Sequence, residues 1–262
     1  MSLSVTIVCL NEAVEIRACL ESVRWADEIV VCDSGSTDGT LEICRAYTDK
    51  IFTDPWRGFS DHKNLALDRA AHEWVLSLDA DERVTPELAA EIRATLEAPG
   101  ADGYTIPRRN YFVGRWIRHG GWYPDRTIRL FRRGKGRFHP RAVHEAVQVE
   151  GAVGHLTQPF DHFTYRSLSA YLQRMDRYST LAADELWREG RRARIMDLSL
   201  RPLVTFLRMY LYQAGFRDGT PGLILAGLYA AQTVAKYAKL WERAQRVSDA
   251  GPSAGGGGES RP

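Results

Sequence analysis

The sequence predicts an α/β fold with a mixed central sheet, followed by a helical C-terminal extension. Three observations predict it. Short apolar runs alternate with segments of helical spacing through the first 100 residues, which is the pattern of a parallel sheet. From residue 103 to 149, short strand-like runs follow one another among many glycines, arginines and aromatic residues, which predicts mixed strands and loops. The last third keeps a helical period.

The first strands and helices follow from the apolar pattern. Residues 3–10 are an apolar, β-branched run that predicts the first strand, and residues 28–32 predict the second. After each strand a helix is expected, because apolar side chains recur at helical spacing: Ile16, Cys19, Leu20 and Val23 after the first, and Leu41, Cys44 and Tyr47 after the second. The two units predict a βαβα arrangement.

The remaining elements complete three predicted regions. Strands are expected at residues 51–52, 74–78, 104–106, 128–131 and 143–149, and helices at residues 61–71, from Pro86 with Thr85 as its cap, 168–186, 202–215 and 221–247. Residues 1–160 therefore form the first predicted domain and residues 161–247 the helical extension. The Gly/Ser/Pro-rich residues 248–262 are expected to be disordered.

Composition excludes several classes of protein. The content of 44% hydrophobic and 26% charged residues is typical of a globular chain, and the net charge of +2 gives no indication of a nucleic-acid partner. The four cysteines form no C-x-x-C pair, so they are expected in the core. The sequence shows no signal peptide and no apolar run long enough to span a membrane, so a cytoplasmic location is expected.

Polar segments follow four of the predicted elements at one edge of the sheet. In open α/β sheets, ligands bind beyond the carboxyl ends of the strands. The segments expected to meet there are Asn11-Glu12, residues 33–39, residues 62–64 and residues 79–81. The sequence therefore predicts a ligand-binding crevice at this edge.

Two of these segments suggest a chemistry. Asp79 and Asp81 follow a buried strand. Two such carboxylates can hold Mg²⁺ or Mn²⁺, and the remaining coordination positions of the ion can take phosphate oxygens. About one D-x-D arises by chance in a chain of this length. The hydroxyls and acids of residues 33–39 suit hydrogen bonding to a nucleoside. The same loop can equally be a capped turn in which Thr37 or Asp38 serves the next helix.

Taken together, these motifs resemble family 2 glycosyltransferases of the GT-A fold. Residues 5–12, 33–40, 63–64 and 78–82 carry the likeness, in this order and spacing. Residues 122–126, 129–133, 143–145, 215–222 and 236–241 resemble the branch that adds glucose to the lipopolysaccharide inner core. The resemblance covers about residues 3–245 and implies a domain that binds a nucleotide sugar.

The resemblance also implies roles for individual residues. In such enzymes the acid after the second strand, here Asp33, binds the uracil and ribose side, while the Asn11-Glu12 loop lies against the nucleotide and Lys63 lies near it. Asp79 and Asp81 fall on the metal motif, with Asp81 favoured as the direct ligand. His144 is the expected third metal ligand, although His144 and Glu145 could equally be a structural pair.

The expected reaction is a metal-dependent, inverting transfer from UDP-glucose. Negative charge develops on the leaving diphosphate, and Mg²⁺ or Mn²⁺ with Arg or Lys stabilises it. The acceptor hydroxyl needs a general base, for which Asp125 is favoured over Glu145; alternatively, Asp125 pairs only with Arg126 or Arg129. The expected acceptor is the saccharide of the lipopolysaccharide inner core. The alternatives are a polyprenyl phosphate or another envelope glycan, and a catalytically silent protein that binds nucleotide sugars.

A basic, apolar segment near the C-terminus predicts contact with a membrane. Arginines precede and enter an apolar helix that contains Leu203, Phe206, Leu207, Tyr210 and Leu211. Such a helix is typical of an anionic membrane surface, here the cytoplasmic face of the inner membrane, where a glycolipid acceptor is displayed. The alternative is a solvated charge run beside a helix hairpin that packs on the core or on a second subunit of a homo-oligomer.

Overall fold

The computed structural model describes residues 2–139 and 146–249. The first part alternates strands and helices: β1 (Leu3–Cys9), α1 (Ile16–Ser22), β2 (Glu28–Asp33), α2 (Thr40–Arg45), β3 (Ile51–Thr53), α3 (Phe59–Arg69), β4 (Trp74–Asp79), β5 (Glu82–Val84) and α4 (Pro86–Glu97). A strand-rich part and a helical part follow: β6 (Gly103–Phe112), β7 (Arg115–Trp116), β8 (Asp125–Arg132), β9 (Gly136–His139), β10 (Ala146–Val149), β11 (Val153–His155), β12 (Phe160–Tyr165), α5 (Leu168–Arg188), α6 (Ile195–Leu207) and α7 (Thr220–Asp249). The predicted α/β fold with its helical C-terminal extension is confirmed.

The central sheet has a parallel half and a mixed half. Its strands lie in the order β3, β2, β1, β4, β8, β6, β12 and β5. The first four are parallel, β8 is antiparallel to β4 and β6, and β12 runs parallel to β6. The short strands β7 and β11 pair with β6, while β9 and β10 form a separate hairpin. The sheet is therefore mixed, as the sequence predicts.

The parallel register brings two acidic residues to the end of β1. In this register Cys9 pairs with Asp33, and Val8 pairs with Asp79. Because β1 lies between β2 and β4, its carboxyl end forms the floor of the crevice that the sequence predicts. The sheet thus fixes the spacing of the two carboxylates before any side-chain contact is considered.

The core confirms two local predictions. Thr85 caps α4, because its side-chain oxygen accepts the N–H of Leu88 at 3.1 Å, and Pro86 occupies the first helical turn. All four cysteines are free and buried, as expected of small core residues. Trp74 and Phe160 are among the largest fully buried side chains, so β4 and β12 both contribute to the core.

The sequence missed several short strands and misplaced one helix. β5, β7, β9, β11 and β12 were not expected, and β12 continues the sheet across the predicted domain boundary at residue 160. The helix expected from Pro202 begins at Ile195 instead and contains Pro202. The reason is the cap: the Asp197 carboxylate accepts the N–H of Arg194 at 2.9 Å, which starts the helix upstream, although Pro202 then lies in the helix interior, where proline is disfavoured.

The helical extension packs on the mixed half of the sheet. A second apolar cluster joins Phe112 and Trp122 to three residues of the extension: Tyr171 of α5, Met209 in the helical turn after α6, and Leu225 of α7. The last helix runs to Asp249, and residues 250–262, with most of the predicted tail, lie outside the described residues. Within residues 2–139 and 146–249, no helix combines the length and apolarity needed to cross a bilayer.

Candidate active site

Two loops at the carboxyl ends of β1 and β2 bind each other. The side-chain oxygen of Asn11 accepts the N–H of Thr37 at 2.9 Å, and the N–H of Asn11 donates to the Ser36 hydroxyl at 2.8 Å. The N–H of Glu12 donates to the Thr40 hydroxyl at 2.9 Å. The two predicted nucleotide-side segments therefore form one continuous wall of the crevice.

Asp33 is buried at the base of this wall. Its Oδ2 accepts the N–H groups of Gly35 at 2.7 Å and Ser36 at 2.8 Å. Asp38 accepts the N–H of Thr40 at 3.2 Å. These contacts match the capped-turn interpretation of the loop. Contact of Asp33 with a nucleoside stays a prediction.

Asp79 lies between two buried cations. Its Oδ1 is 2.7 Å from the Lys63 Nζ, and its Oδ2 accepts a hydrogen bond from Arg129 at 2.9 Å. Burial raises the pKa of Asp79, but the Lys63 and Arg129 charges outweigh burial and hold this pKa well below its usual range. Both oxygens of Asp79 are therefore paired with cations of the protein itself.

Glu82 extends the buried ion cluster. It is fully buried and accepts a hydrogen bond from Arg129, and its Oε2 accepts the N–H of Asp79 at 2.9 Å. Burial raises the pKa of Glu82, and the neighbouring Asp79 charge adds to this rise against the effect of Arg129. Arg129 therefore holds two carboxylates together behind the D-x-D segment.

Asp81 faces a histidine instead of a cation. The side chain of Asp81 is 26% exposed, and its Oδ2 lies 3.4 Å from the Nε2 of His162 on β12. The main chain is also fixed, because the Phe163 N–H donates to the Asp81 carbonyl at 3.0 Å. Asp81 and His162 thus form an acid and imidazole pair at the crevice.

The neighbours of His162 define which ring nitrogen carries a proton. The amide nitrogen of Asn110 donates to the Trp122 carbonyl at 3.2 Å and to Asp125 at 3.1 Å, so its oxygen must face the Nδ1 of His162, 2.7 Å away. Nδ1 therefore donates to Asn110, and Nε2 faces the Asp81 carboxylate at 3.4 Å.

This arrangement fits a divalent cation with few protein ligands. The other ring nitrogen of a metal-binding histidine usually donates to an oxygen, as Nδ1 does here. Among the residues that the structure describes, no group of three or more His, Cys, Asp or Glu side chains is arranged to hold a metal. Asp81 and His162 would supply two ligands, and oxygens of a bound diphosphate and water would supply the rest, as Mg²⁺ commonly requires.

Asp125 opens β8 on the same network. Its Oδ2 accepts hydrogen bonds from Arg108 Nε at 2.9 Å and from Asn110 at 3.1 Å. The alternative partners bind elsewhere: Arg126 donates to the Leu156 carbonyl, and Arg129 donates to the two buried acids. Asn110 therefore links the candidate base to His162.

Glu12 is a further carboxylate near this network. Burial, followed by the charges of Asp81 and Glu15, raises the pKa of Glu12 to about 7. The region around Asp81 is therefore an acidic environment that favours a positive charge. Perturbed carboxylates of this kind are concentrated at functional sites.

The structure brings most of the predicted residues together and adds others. Asn11 and Glu12 contact the Asp33 loop, and Lys63 pairs with Asp79. Hydrogen bonds through Asn110 link Asp125 to His162, which in turn faces Asp81. His144 and Glu145 lie outside the described residues. Sequence reasoning missed these residues: Glu82, Arg108, Asn110, Arg129 and His162. The run Phe160-Asp-His-Phe-Thr-Tyr165 does not alternate strictly between apolar and polar residues, so the period-2 pattern gave no signal for this strand.

Comparison with known proteins decides the family. The sequence model described as Glycosyl transferase family 2 matches residues 4–153. The chain belongs to this glycosyltransferase family. Membership in the glycosyltransferase family confirms the resemblance, the GT-A fold and the general class of transferase.

A relative that matches over nearly its full length agrees with this glycosyltransferase assignment. The chain is 35% identical over 256 residues to the lipopolysaccharide core biosynthesis glycosyltransferase LpsC of Rhizobium meliloti (strain 1021), covering 93% of each sequence. It is 25% identical over 257 residues to an uncharacterized glycosyltransferase of Rickettsia felis, covering 92% of this chain and 89% of the relative. The structure of S. aureus TarS in complex with UDP is similar with a TM-score of 0.48 and 17% identity, covering 94% of this chain and 92% of that one.

Proposed function

We propose that this glycosyltransferase moves glucose from UDP-glucose to a saccharide of the lipopolysaccharide inner core, with inversion at the sugar carbon. The observation that carries the proposal is the contact of Asp81 with His162 and the hydrogen bonds that join His162 through Asn110 to Asp125, at the strand ends of a family 2 chain. The named function of the Rhizobium relative supports the choice of acceptor. A glycosyltransferase acting on another envelope glycan would use the same arrangement.

The donor end of the site is the wall formed by the first two loops. Asn11, Glu12 and Asp33 line the nucleoside side in this proposal, and the Lys63 and Arg129 charges lie behind Asp79. Asp81 and His162 would hold Mg²⁺ or Mn²⁺, with Asp79 in an indirect role. When bound, the cation supplies positive charge to the diphosphate as it leaves.

The acceptor end is Asp125. Arg108 and Asn110 both bind its Oδ2, so we assign Oδ1 to the proton of the acceptor hydroxyl. The hydroxyl then attacks the sugar carbon from the face opposite the diphosphate, and the C–O bond to the diphosphate breaks with its electron pair. A single displacement of this kind inverts the anomeric configuration. Glu145 is the second candidate base, and His144 a further metal ligand.

A transfer assay tests the proposal. Purified protein is given UDP-glucose, Mn²⁺ and deacylated core oligosaccharide, and product linkage is determined by NMR. We expect a β-linked product from the α-linked donor, and a loss of about 10²- to 10⁴-fold in kcat for Asp125→Asn. Asp68→Asn, which changes an exposed carboxylate paired with Arg137 outside the candidate site, is the matched control with unchanged activity.

Two results would contradict parts of this proposal. Full activity in Asp125→Asn with loss in Glu145→Gln would move the base to Glu145. Transfer to polyprenyl phosphate and not to the oligosaccharide would replace the acceptor. If wild type binds UDP-glucose and transfers it to neither acceptor nor water, the protein is a silent binding protein.

We also propose that α6 lies on an anionic membrane surface at the cytoplasmic face of the inner membrane. One face of this helix and the turn after it is exposed and apolar: Ile195, Met196, Leu200, Leu203, Val204, Leu207 and Leu211. Residues 188–217 contain seven arginines and two acidic residues, so the segment has excess positive charge beside that face. This combination is complementary to lipid headgroups that bear phosphate, at about 1 kcal/mol per basic residue.

Vesicle binding tests the membrane proposal. We expect wild type to sediment with vesicles of phosphatidylglycerol at low salt and to be released by salt. Leu203→Ser with Leu207→Ser should abolish sedimentation, whereas Val153→Ser, at an exposed apolar residue of the catalytic sheet, should not. Equal binding by the double variant would overturn the proposal. A dimer of wild type that the double variant loses would assign the face to a second copy of the chain.

A further inference from the structure

The helical extension holds the loop that leads to the candidate base. The buried carboxylate of Asp218 accepts the N–H groups of Arg118 at 3.3 Å and His119 at 2.8 Å, and it lies 3.1 Å from the Nδ1 of His119. The Gln213 carbonyl accepts the N–H of Gly120 at 2.9 Å. Three consecutive backbone N–H groups of this loop are therefore held from a segment about 100 residues away in the sequence.

Glycines in the extension allow this contact. A Cβ on Gly222 would lie 1.9 Å from the carbonyl oxygen of Gly215, and a Cβ on Gly215 would lie 2.7 Å from the carbonyl oxygen of Met209. The two ends of the 215–222 motif therefore touch backbone to backbone, which only glycine permits. This close approach fixes the short turn that carries Asp218.

The held loop is connected to Asp125 by a second contact. Trp122 is buried against Met209 and Leu225, and its carbonyl accepts the Asn110 amide at 3.2 Å. The same amide donates to Asp125 at 3.1 Å. A shift of the loop would therefore move both the main chain before Asp125 and one of the donors that orient its carboxylate.

We infer that Asp218 is a positioning residue that sets the place of Asp125 for proton transfer. The inference rests on the proposed role of Asp125. The family sequence model ends at residue 153, so Asp218 and the turn that carries it lie in the part of the chain that the model does not match. The helical extension thus contributes to the reacting end of the site through the main chain of residues 118–124, and Asp218 itself touches no substrate.

Replacing the carboxylate by an amide weakens this contact without removing its volume. Asp218 uses both oxygens as acceptors, Oδ1 for Arg118 and Oδ2 for His119. In Asp218→Asn one of these positions becomes an NH₂ group that faces a backbone N–H. One N–H of the loop is then left without an acceptor in a buried place, so the loop must move.

A double-mutant cycle on transfer rates tests the inference. We expect Asp218→Asn to lower kcat by about 10- to 100-fold while the donor KM changes by less than about threefold. In the Asp125→Asn background the same substitution should change kcat by less than about threefold, because its effect acts through Asp125. An equal loss in both backgrounds would overturn the inference. So would wild-type kcat in Asp218→Asn.

Hydrogen exchange separates this inference from the proposed function. We expect the amides of residues 118–120 to exchange faster in Asp218→Asn than in wild type, whether or not the acceptor has been identified. Asp184→Asn, which removes a carboxylate bound to Arg243 between α5 and α7, is the matched control with unchanged exchange and activity. Unchanged exchange in Asp218→Asn would show that Asp218 does not hold the loop. Faster exchange in Asp218→Asn together with full activity in Asp125→Asn would refute the proposed base and leave the hold of Asp218 on the loop intact.

A second variant covers the case in which Asp218→Asn does not fold. His119→Ala removes the imidazole contact from the loop side and leaves the helices intact. We expect a smaller fall in kcat, with the same dependence on Asp125. If His119→Ala and wild type have the same kcat and the same exchange at residues 118–120, the positioning role is wrong.

Discussion

Asp79 and Asp81 lie two residues apart, and the protein surrounds them differently. Lys63 and Arg129 occupy both oxygens of Asp79, whose pKa they lower against the effect of burial. Asp81 faces the imidazole of His162 across 3.4 Å. One carboxylate of the D-x-D segment thus maintains the buried charge cluster, whereas the other is the one that we propose binds a cation. The two sides should respond to substitution in different ways.

The largest effect is expected on stability at the Asp79 side. Arg129→Met removes the cation that holds Asp79 and the fully buried Glu82, and breaking a buried ion pair in this way costs about 3–5 kcal/mol of unfolding free energy. Denaturant unfolding measures it. The control is Arg132→Met on the same strand as Arg129. It breaks surface ion pairs with Glu73 and Asp102, and the expected loss is below about 1 kcal/mol. Equal losses would contradict a special role for Arg129.

The next effect is expected on activity at the Asp81 side. Asp81→Asn should lower kcat/KM by about 100-fold or more, because the cation that we propose it holds would supply several kcal/mol of charge stabilisation. Its unfolding free energy should stay within about 1 kcal/mol of wild type, since within residues 2–139 and 146–249 the ion pair of Asp81 is with His162 alone, at 3.4 Å. A variant that loses stability and keeps activity would reverse the comparison.

A smaller effect is expected from the residue that orients His162. Asn110→Ala frees Nδ1 from its oxygen partner, so the imidazole no longer presents Nε2 to Asp81 in one fixed tautomer. We expect Mn²⁺ affinity, measured by calorimetry in the presence of UDP, to fall about 10- to 100-fold. Thr164→Val removes the other polar neighbour of Nδ1 and keeps Asn110. It should have less effect, and a larger effect in Thr164→Val would show that Asn110 does not set the tautomer.

The smallest effect is a pH dependence at Glu12. The pKa of Glu12 is raised from 4.5 to about 7, so the folded protein binds this proton more tightly than the unfolded chain does. Its contribution to stability is present below pH 4.5 and is lost as the pH rises to about 7. Glu12→Gln should therefore have a higher Tm than wild type at pH 8 and a similar Tm at pH 5.

An exposed glutamate gives the control for this pH dependence. The hydrogen bond from Tyr47 lowers the pKa of Glu21, so the stability from Glu21 is present above its ordinary pKa and is lost as the pH falls. Glu21→Gln should lower the Tm slightly at pH 8, in the opposite direction to Glu12→Gln. A Glu12→Gln difference that does not grow between pH 5 and pH 8 would show that Glu12 is not desolvated.

The parallel half of the fold could be predicted because its strands are buried on both faces. Residues 74–78 read as one apolar run, and in the structure all five are buried between helices. Short edge strands such as Arg115–Trp116 carry no such signal, because two residues show no period. Pro202 led to a wrong helix start, because proline usually occupies the first turn of a helix, whereas the Asp197 cap starts this helix at Ile195.

Residues of the candidate site could be predicted where they directly follow a strand. They could not be predicted where only the pairing of distant strands brings them to the site. Asp33, Asp79 and Asp81 follow strands that the apolar pattern identifies. His162 comes to Asp81 only because β12 pairs with β5 and β6, far apart in the sequence. Arg129 is likewise one of many arginines in the sequence, and only the pairing of β8 with β4 places it behind Asp79.

The most direct test of the division between Asp79 and Asp81 is calorimetric binding of UDP, with Mn²⁺ and then with EDTA, to wild type, Asp81→Asn and His162→Ala. The account predicts binding to wild type that requires Mn²⁺ and is lost in both variants, each of which stays folded. Binding of UDP and Mn²⁺ to Asp81→Asn as tightly as to wild type would contradict it, because the cation would then be held elsewhere.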